Sequence, residues 1–172
     1  MAPTHRKVVA RYLDGRLVKG YTFDFGPAQP RFRVFAEPSA SGASTQVFLR
    51  DLKALFFVRD LIGDPARHDG TKFPPGVATG PHVEIRFRDG EMMVGTVEGS
   101  TADSPGFFLV PADPGSNNLR VYVLTAATRS VYPLPDLVPS PAGAGRGPSA
   151  RRSAPAAPRP LLPGRLVSWL TR

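Results

Sequence analysis

Short apolar runs interrupted by Asp-Gly pairs open the chain and return later in it. In "KVVARYLDGRLVKGYTF" two such runs flank Asp14 and Gly15, and in "VEIRFRDGEMMVGTV" two flank Asp89 and Gly90. Alternation of apolar and polar residues within a run is typical of a β-strand with one buried face. Asp-Gly between such runs is a strong hairpin signal, because glycine adopts the positive φ that the twisted turn needs. The pattern therefore predicts two similar β-hairpins.

The two hairpins belong to a longer repeat. Residues 7–60 align with residues 82–135 at a constant offset of 75 without a gap, and Gly20 then meets Gly95. A glycine inside a strand indicates a bulge or a bend. Each copy continues with three more apolar runs, so we interpret the chain as one five-stranded unit used twice. The structural signature of this unit consists of Asp14, Gly15, Gly20, Asp89, Gly90 and Gly95.

Five short strands with a bent second strand predict a small SH3-like or Sm-like barrel, since closing the sheet removes its exposed edges. The expected fold is all-β, with two such barrels in tandem. We predict a first barrel in residues 1–60, a Pro/Gly linker in 61–81, a second barrel in 82–138, a disordered Pro/Ala/Arg-rich linker in 139–160 and a short amphipathic docking peptide in 161–172.

Two stretches resemble known families. "DGRLVKGYTFDF" followed by "VFLRDLKALFFVRD" resembles the two halves of the Sm-like signature. "LKALFFVRD" and "PADPGSNN" are similar to a bacterial family of domains of unknown function, over most of residues 7–135. Sm-like RNA binders carry an Asp and an Asn after the bent strand, whereas Asp24 is followed by no Asn here, and the fourth strand ends in Arg50 and Asp51. The Sm-like resemblance therefore implies a fold and not an RNA site.

The basic charge is concentrated in the last part of the chain. The net charge is +8, but residues 1–138 hold all 14 acidic residues and 16 of the 22 Lys and Arg, which leaves them at +2. A barrel that binds a phosphate backbone normally shows a basic face. The predicted barrels are nearly neutral, so the charge pattern favours a protein partner for them.

The composition provides little for catalysis. The absence of cysteine excludes disulfides, thiolate metal sites and cysteine nucleophiles, and the three histidines are scattered. The sequence offers no Ser-His-Asp arrangement, no glycine-rich phosphate loop and no paired carboxylates outside turns. We therefore expect no enzyme activity, no metal and no cofactor. No apolar run is long enough for a membrane span and the N-terminus lacks a secretory signal, so we expect a cytoplasmic protein.

The most unusual polar stretch is "PADPGSNNLR", residues 111–120. Asn117, Asn118 and Arg120 are our candidates for hydrogen bonds to a ligand or a partner. The alternative interpretation is a structured hairpin loop in which Asn and Ser side chains satisfy the backbone.

The last twelve residues, 161–172, differ from the Pro-rich segment before them. Leu166, Trp169 and Leu170 would share one face of a helical turn, which suits docking into a groove. Contact with an anionic membrane surface and packing back onto the barrels are the alternatives. Arg151 and Arg152 are candidate phosphate contacts, through which the tail would bind nucleic acid without specificity.

These observations favour a non-enzymatic protein-interaction or regulatory module. The alternative is a Sm-like RNA-binding protein, and a small-molecule sensor would require a pocket between the barrels. Protein binding and nucleic-acid binding differ in one structural expectation, because only nucleic acid calls for a shared basic face. The residues that would form this face are Arg11, Arg16, Arg31, Arg33 and Arg50.

Overall fold

A computed structural model describes residues 5–64, 66–74, 80–99 and 104–135. Regular structure in this part of the chain consists of β-strands and two 3-10 turns, so the predicted all-β class is confirmed. The turns are Leu49–Asp51 and Thr125–Ala127, and each directly precedes a strand. The strands are β1 Arg6–Tyr12, β2 Leu17–Thr22, β3 Arg31–Phe35, β4 Ser44–Phe48, β5 Leu52–Val58, β6 His82–Phe87, β7 Met92–Glu98, β8 Gly106–Pro111, β9 Asn118–Leu124 and β10 Thr128–Pro133.

All ten strands form one open antiparallel sheet in the order β10-β6-β7-β8-β9-β5-β1-β2-β3-β4. The prediction of two closed five-stranded barrels is therefore wrong. The reason lies in β5, which pairs with β1 on one side and with β9 on the other. The strand that we expected to complete the first barrel instead joins it to the rest of the sheet. Strands β4 and β10 are left at the two edges.

The sheet consists of two halves, residues 6–58 and 82–133, whose five strands follow the same order. Through the first three strands of each half, equivalent residues differ by 75 positions. Val8 pairs with Gly20 in the first half, and Val83 pairs with Gly95 in the second.

The offset increases to 76 from the fourth strand of each half onward. Leu55 lies opposite Ala10, and its equivalent opposite Ile85 is Val131. The constant offset predicted from the sequence is therefore wrong by one residue in this part. The extra residue lies in the loop before β9. Eight residues separate Phe35 of β3 from Ser44 of β4, whereas nine residues separate the equivalents in the second half, Val110 and Arg120.

The two halves bury opposite faces of the sheet where they meet. Leu55 and Phe57 share a face with Val8, on the core side of the first half. Ala54 and Phe56 of the same strand pair with buried residues of β9 and complete the core of the second half. Every residue of β5 is consequently buried, and one continuous hydrophobic core spans both halves.

Both predicted hairpins are present, with Gly15 and Gly90 at φ of +87° and +89°. Gly20 and Gly95 do not mark bulges, because the pairing of their strands with β1 and β6 keeps its register. They instead permit a close approach of the next strand. A Cβ atom on Gly20 would lie 2.1 Å from the carbonyl oxygen of Phe35.

Candidate binding cleft

A cleft of about 660 Å³ lies between the two halves. Strands β1, β2 and β5 of the first half form one side, and β7 of the second half forms the other. The connecting segment, which is the part of the chain between β5 and β6, contributes residues 60–64 and 67–71 as a further wall. The pocket that a small-molecule sensor would require is therefore present, although the cleft is open to solvent and mixed in polarity.

The cleft combines an apolar floor with an apolar rim. Val9 and Met93 pack against the core beneath it. Among the described residues five large apolar side chains are exposed, and three of them line this cleft. Leu17 is 49% exposed, Ile62 80% and Met92 48%. Such a grouping of exposed apolar side chains around a concavity is typical of a binding surface.

The wall formed by the connecting segment is held by the "PADPGSNNLR" loop. The Asn117 side chain accepts a hydrogen bond from the Asp60 amide at 3.0 Å and donates one to the Asp60 carbonyl at 2.9 Å. Ser116 Oγ donates to the Asp69 carboxylate at 2.6 Å. These contacts attach the connecting segment to the β8–β9 loop of the second half.

Asp113 is the centre of this attachment. Its carboxylate accepts hydrogen bonds from the amides of Gly70 at 3.0 Å and Gly115 at 2.8 Å, and from Arg67 Nη2 at 2.8 Å. The two amide hydrogen bonds, followed by the Arg67 guanidinium, hold the pKa of Asp113 below its usual value. The ionised form of Asp113 thus fixes residues 67–70 beside the cleft.

A charged cluster lies at the β7 end of the cleft. Arg11 forms a 2.7 Å ion pair with Glu91, and the Lys53 ammonium binds both Glu91 and Asp89. The Lys53 side chain is only 4% exposed and its nitrogen lies 4.3 Å from the centre of the Phe87 ring. Cations of the first half therefore bind carboxylates of the second half across the junction, which is the boundary where the two halves meet.

The structure gives the predicted loop candidates roles within the chain. Asn117 uses its side-chain oxygen and nitrogen on Asp60, as described above. Asn118 Nδ2 reaches the Asp69 carboxylate at 3.5 Å. Arg120 lies 3.1 Å from Glu98, outside hydrogen-bonding angles, and 3.6 Å over the Phe108 ring. Asn117 and Asn118 also line the cleft, so their role toward a ligand stays a prediction.

Of the hairpin signature residues, Asp14 and Asp89 both lie in turns, and Asp89 also contacts the other half of the sheet. Asp14 and Asp89 each accept a hydrogen bond from the amide two residues later, as turn residues do. Asp89 has the additional contact to Lys53, which the sequence did not indicate. The remaining candidates, Arg151, Arg152, Leu166, Trp169 and Leu170, lie outside the described residues.

The comparison with known families gives one match. A model described as "Family of unknown function (DUF6982)" matches residues 4–134, which is most of the chain. The chain belongs to the DUF6982 family. The prediction of a family of unknown function is thereby confirmed. No curated protein and no solved structure matches the chain.

The sequence of this DUF6982 chain did not lead us to predict the roles of three side chains, Lys53, Asp113 and Ile62. Lys53 interrupts the apolar run "LKALFFV", and a lone cation there is a recognisable signal for a buried ion pair. Asp113 lies in a stretch that we did single out, but two of its partners, Arg67 and Gly70, are more than 40 positions away. Ile62 carried no signal, because an apolar residue in a loop becomes informative only when its exposure is known.

The described residues contain no group of three or more His, Cys, Asp or Glu placed to hold a metal ion. They also contain no helix of the length and hydropathy that crossing a membrane requires.

Proposed function

We propose that this domain is a non-enzymatic protein-interaction module that binds a short apolar segment of a partner protein in the cleft. The observation that carries the proposal is the rim of three exposed apolar side chains, Leu17, Ile62 and Met92, around a cavity of about 660 Å³. Burying such side chains against a partner is favourable by about 25 cal/mol per Å² of apolar surface.

The polar groups of the cleft support binding rather than catalysis. Arg11 is paired with Glu91, and Asp69 accepts a hydrogen bond from Ser116. These groups hold the walls in place, which pre-forms the cleft and reduces the entropy lost on binding. A short partner segment with two or three large apolar side chains would match the apolar rim.

The experiment is a selection from a random peptide library displayed on phage, using the full chain as bait. We expect enrichment of sequences with closely spaced Leu, Ile, Met or aromatic residues. Their affinities are then measured on the wild type and on a Leu17→Ser/Ile62→Ser/Met92→Ser variant. The variant should bind at least about tenfold more weakly, because three apolar contacts are lost.

The chain offers a matched control for this variant. Leu13 and Leu119 are also exposed, at 55% and 47%, and neither lines the cleft. A Leu13→Ser/Leu119→Ser variant removes comparable apolar surface and should bind the selected peptides as the wild type does. The proposal is wrong if no peptides are enriched, or if the two variants lose affinity equally.

We also propose that the two halves arose by duplication of one five-stranded unit. The support is the identical strand order and the equivalent pairing of Val8 with Gly20 and of Val83 with Gly95. A duplication explains why an apolar junction strand exists at all. An ancestral unit that paired its fifth strand with the fourth strand of a second copy would have formed the same contact between two chains.

A further inference from the structure

Among the described residues, no strand pairs with the outer side of β4, and its backbone is positioned to pair with another strand. The Leu49 amide nitrogen lies 3.0 Å from the Pro30 carbonyl oxygen, to which it donates a hydrogen bond. The Ala36 amide donates one to the Ala43 carbonyl oxygen at 3.2 Å. Alternate residues of an antiparallel strand face the same neighbour. Thr45 and Val47 therefore turn their backbone groups toward β3. The groups that face the open edge belong to Ser44, Gln46 and Phe48.

The second half shows what this position of the unit accepts. Its fourth strand, β9, is equivalent to β4 and pairs with β5 on the corresponding side. Leu55 and Phe57 of β5 lie opposite Tyr122 and Arg120, which are the equivalents of Gln46 and Ser44. An added strand is thus already part of the architecture in one half and lacks a counterpart among the described residues of the other.

The side chains around the β4 edge differ from those around β9 in a way that specifies the partner. In the second half, Phe108 and Tyr122 lie beside the junction and receive Phe25 and Phe57 in an aromatic cluster. At the first-half positions, Arg33 replaces Phe108 and Gln46 replaces Tyr122.

The β4 edge is also basic. Arg31 and Arg33 are exposed on the face that carries Phe48 and Gln46, and neither has an ion pair among the described residues. Arg50 lies just beyond β4, 79% exposed, 3.6 Å from Asp51. Asp24 accepts hydrogen bonds from the Arg33 amide and from Thr22, and Glu37 is exposed in the loop that follows β3. This face therefore suits carboxylates on the neighbouring strand.

On the opposite face of β4, the second half indicates that the added strand carries apolar residues. Ala54 and Phe56 of β5 lie opposite Val123 and Val121 and complete the second-half core. The equivalents of these two valines are Val47, which is buried, and Thr45, which is exposed. A strand added at β4 would therefore bury apolar side chains over Thr45 and Val47.

A second copy of this chain is a poor partner for the edge. The Leu134 amide donates a hydrogen bond to the His82 carbonyl oxygen at 2.8 Å, so the nitrogen of Pro133, which carries no hydrogen, faces the open side of β10. Proline on an edge strand prevents pairing on that side. Pairing β4 with β4 would bring Arg31, Arg33 and Arg50 of two chains together, which like charges disfavour.

From these observations we propose that β4 binds an extended segment of a partner protein in which apolar and acidic residues alternate. The segment adds to the sheet by β-augmentation. Its backbone pairs with Ser44, Gln46 and Phe48, its carboxylates face Arg31 and Arg33, and its apolar side chains cover Thr45 and Val47. This site is separate from the cleft of the proposed function.

The test measures fluorescence anisotropy of labelled peptides with the full chain. One peptide alternates valine and glutamate, and the other alternates valine and lysine. We expect only the glutamate peptide to bind the wild type. An Arg31→Glu/Arg33→Glu variant should lose about tenfold in affinity for it and gain affinity for the lysine peptide, because the charge contacts are reversed. This exchange of preference cannot result from unfolding.

The backbone contribution is tested with Gln46→Pro, which removes one edge-facing amide hydrogen and should abolish binding. On the wild type, the glutamate peptide should slow amide exchange at Ser44, Gln46 and Phe48. Arg88→Glu/Arg129→Glu is the control, since both arginines are exposed in the second half, and it should bind normally. The cleft variant Leu17→Ser/Ile62→Ser/Met92→Ser should bind normally as well, which separates this proposal from the proposed function.

Several results would overturn the proposal. The first is equal binding of both peptides, or of neither. The second is binding that survives Gln46→Pro, since charge attraction alone would then explain it. The third is single-stranded RNA that competes through Arg31 and Arg33 and is indifferent to Gln46→Pro, which would make the face a nucleic-acid site. Self-association of the free chain that Gln46→Pro abolishes would instead identify a second copy as the occupant.

Discussion

Lys53 of the first half and Asp89 of the second half form a 2.5 Å ion pair across the junction. Lys53 belongs to β5 and Asp89 to the β6–β7 turn, so the contact joins two elements that are far apart in the sequence. Glu91 binds the same ammonium group, and the Phe87 ring lies beneath it. One buried cation thus fixes the second-half hairpin against the first half.

Substitution of Lys53→Met should destabilise the folded domain. Asp89 and Glu91 would lose their shared cation and repel each other, although both are partly exposed to water. We therefore expect a loss of about 2 kcal/mol in the free energy of unfolding, below the cost of breaking a fully buried pair. Urea unfolding measures the change. Lys72→Met, at an exposed position, should stay within about 0.5 kcal/mol of the wild type, and equal losses in both variants would contradict the role of Lys53.

The same contact predicts a pH dependence. The hydrogen bond from Lys53 is the main reason that the pKa of Asp89 is lowered. A carboxyl with a lower pKa in the folded state stabilises the fold above its unfolded pKa, about 4, and loses this contribution as the pH falls through the folded value. Asp89→Asn should therefore be less stable than the wild type at neutral pH, and the difference should shrink below about pH 4. Urea unfolding at a series of pH values measures it, and a constant difference would refute the linkage.

The strand glycines can be tested by adding a single methyl group. A Cβ on Gly20 would lie 2.1 Å from the Phe35 carbonyl oxygen, and on Gly95 2.3 Å from the Val110 carbonyl oxygen. Backbone must move in each case, so Gly20→Ala and Gly95→Ala should each cost about 2 to 4 kcal/mol in thermal or urea unfolding.

Gly42 provides the matched control for these variants. A Cβ there meets no atom within 4 Å. Gly42→Ala should leave stability unchanged or raise it by up to about 1 kcal/mol, because the unfolded chain loses conformational freedom. If Gly20→Ala is tolerated equally well, the close approach of β3 is not what requires glycine at that position.

The hairpins and the all-β class could be predicted because their signals are local. Asp-Gly turns and alternating runs determine β1–β2 and β6–β7 without reference to the rest of the chain. The sheet could not be predicted in the same way, since an apolar strand such as β5 can close a barrel or join two halves. Its seven consecutive buried residues are the signature of a strand covered on both faces. The sequence "LKALFFV" therefore contained the clue to a central strand.

The differences between the halves also depend on contacts that the sequence alignment hides. Arg16 lies 4.0 Å over the Tyr12 ring, as Lys53 lies over the equivalent ring of Phe87. The residue equivalent to Arg16 in the second half is Glu91, which binds Lys53. In the first half, the cation over this ring, Arg16, comes from the same half. In the second half, the cation over the equivalent ring is Lys53, which comes from the first half. The alignment of Arg16 with Glu91 gave no indication that Lys53 supplies the cation of the second half.

The Asp113 carboxylate holds the connecting segment against the second half. The Pro/Gly composition of this segment indicated a linker, but the attachment to Asp113 arises only in the folded chain. Asp113→Asn keeps the side-chain shape and removes the charge that binds Arg67 and the Gly70 amide. We expect amide exchange at Gly70 to accelerate about tenfold, with little change in global stability, because a local opening suffices to release this segment. Asp64→Asn is the control, since Asp64 Oδ1 accepts only a local hydrogen bond, from the Ala66 amide. Weaker binding of cleft-selected peptides to the Asp113 variant alone would link this attachment to the wall of the cleft, whereas unchanged exchange at Gly70 would show that other contacts hold it.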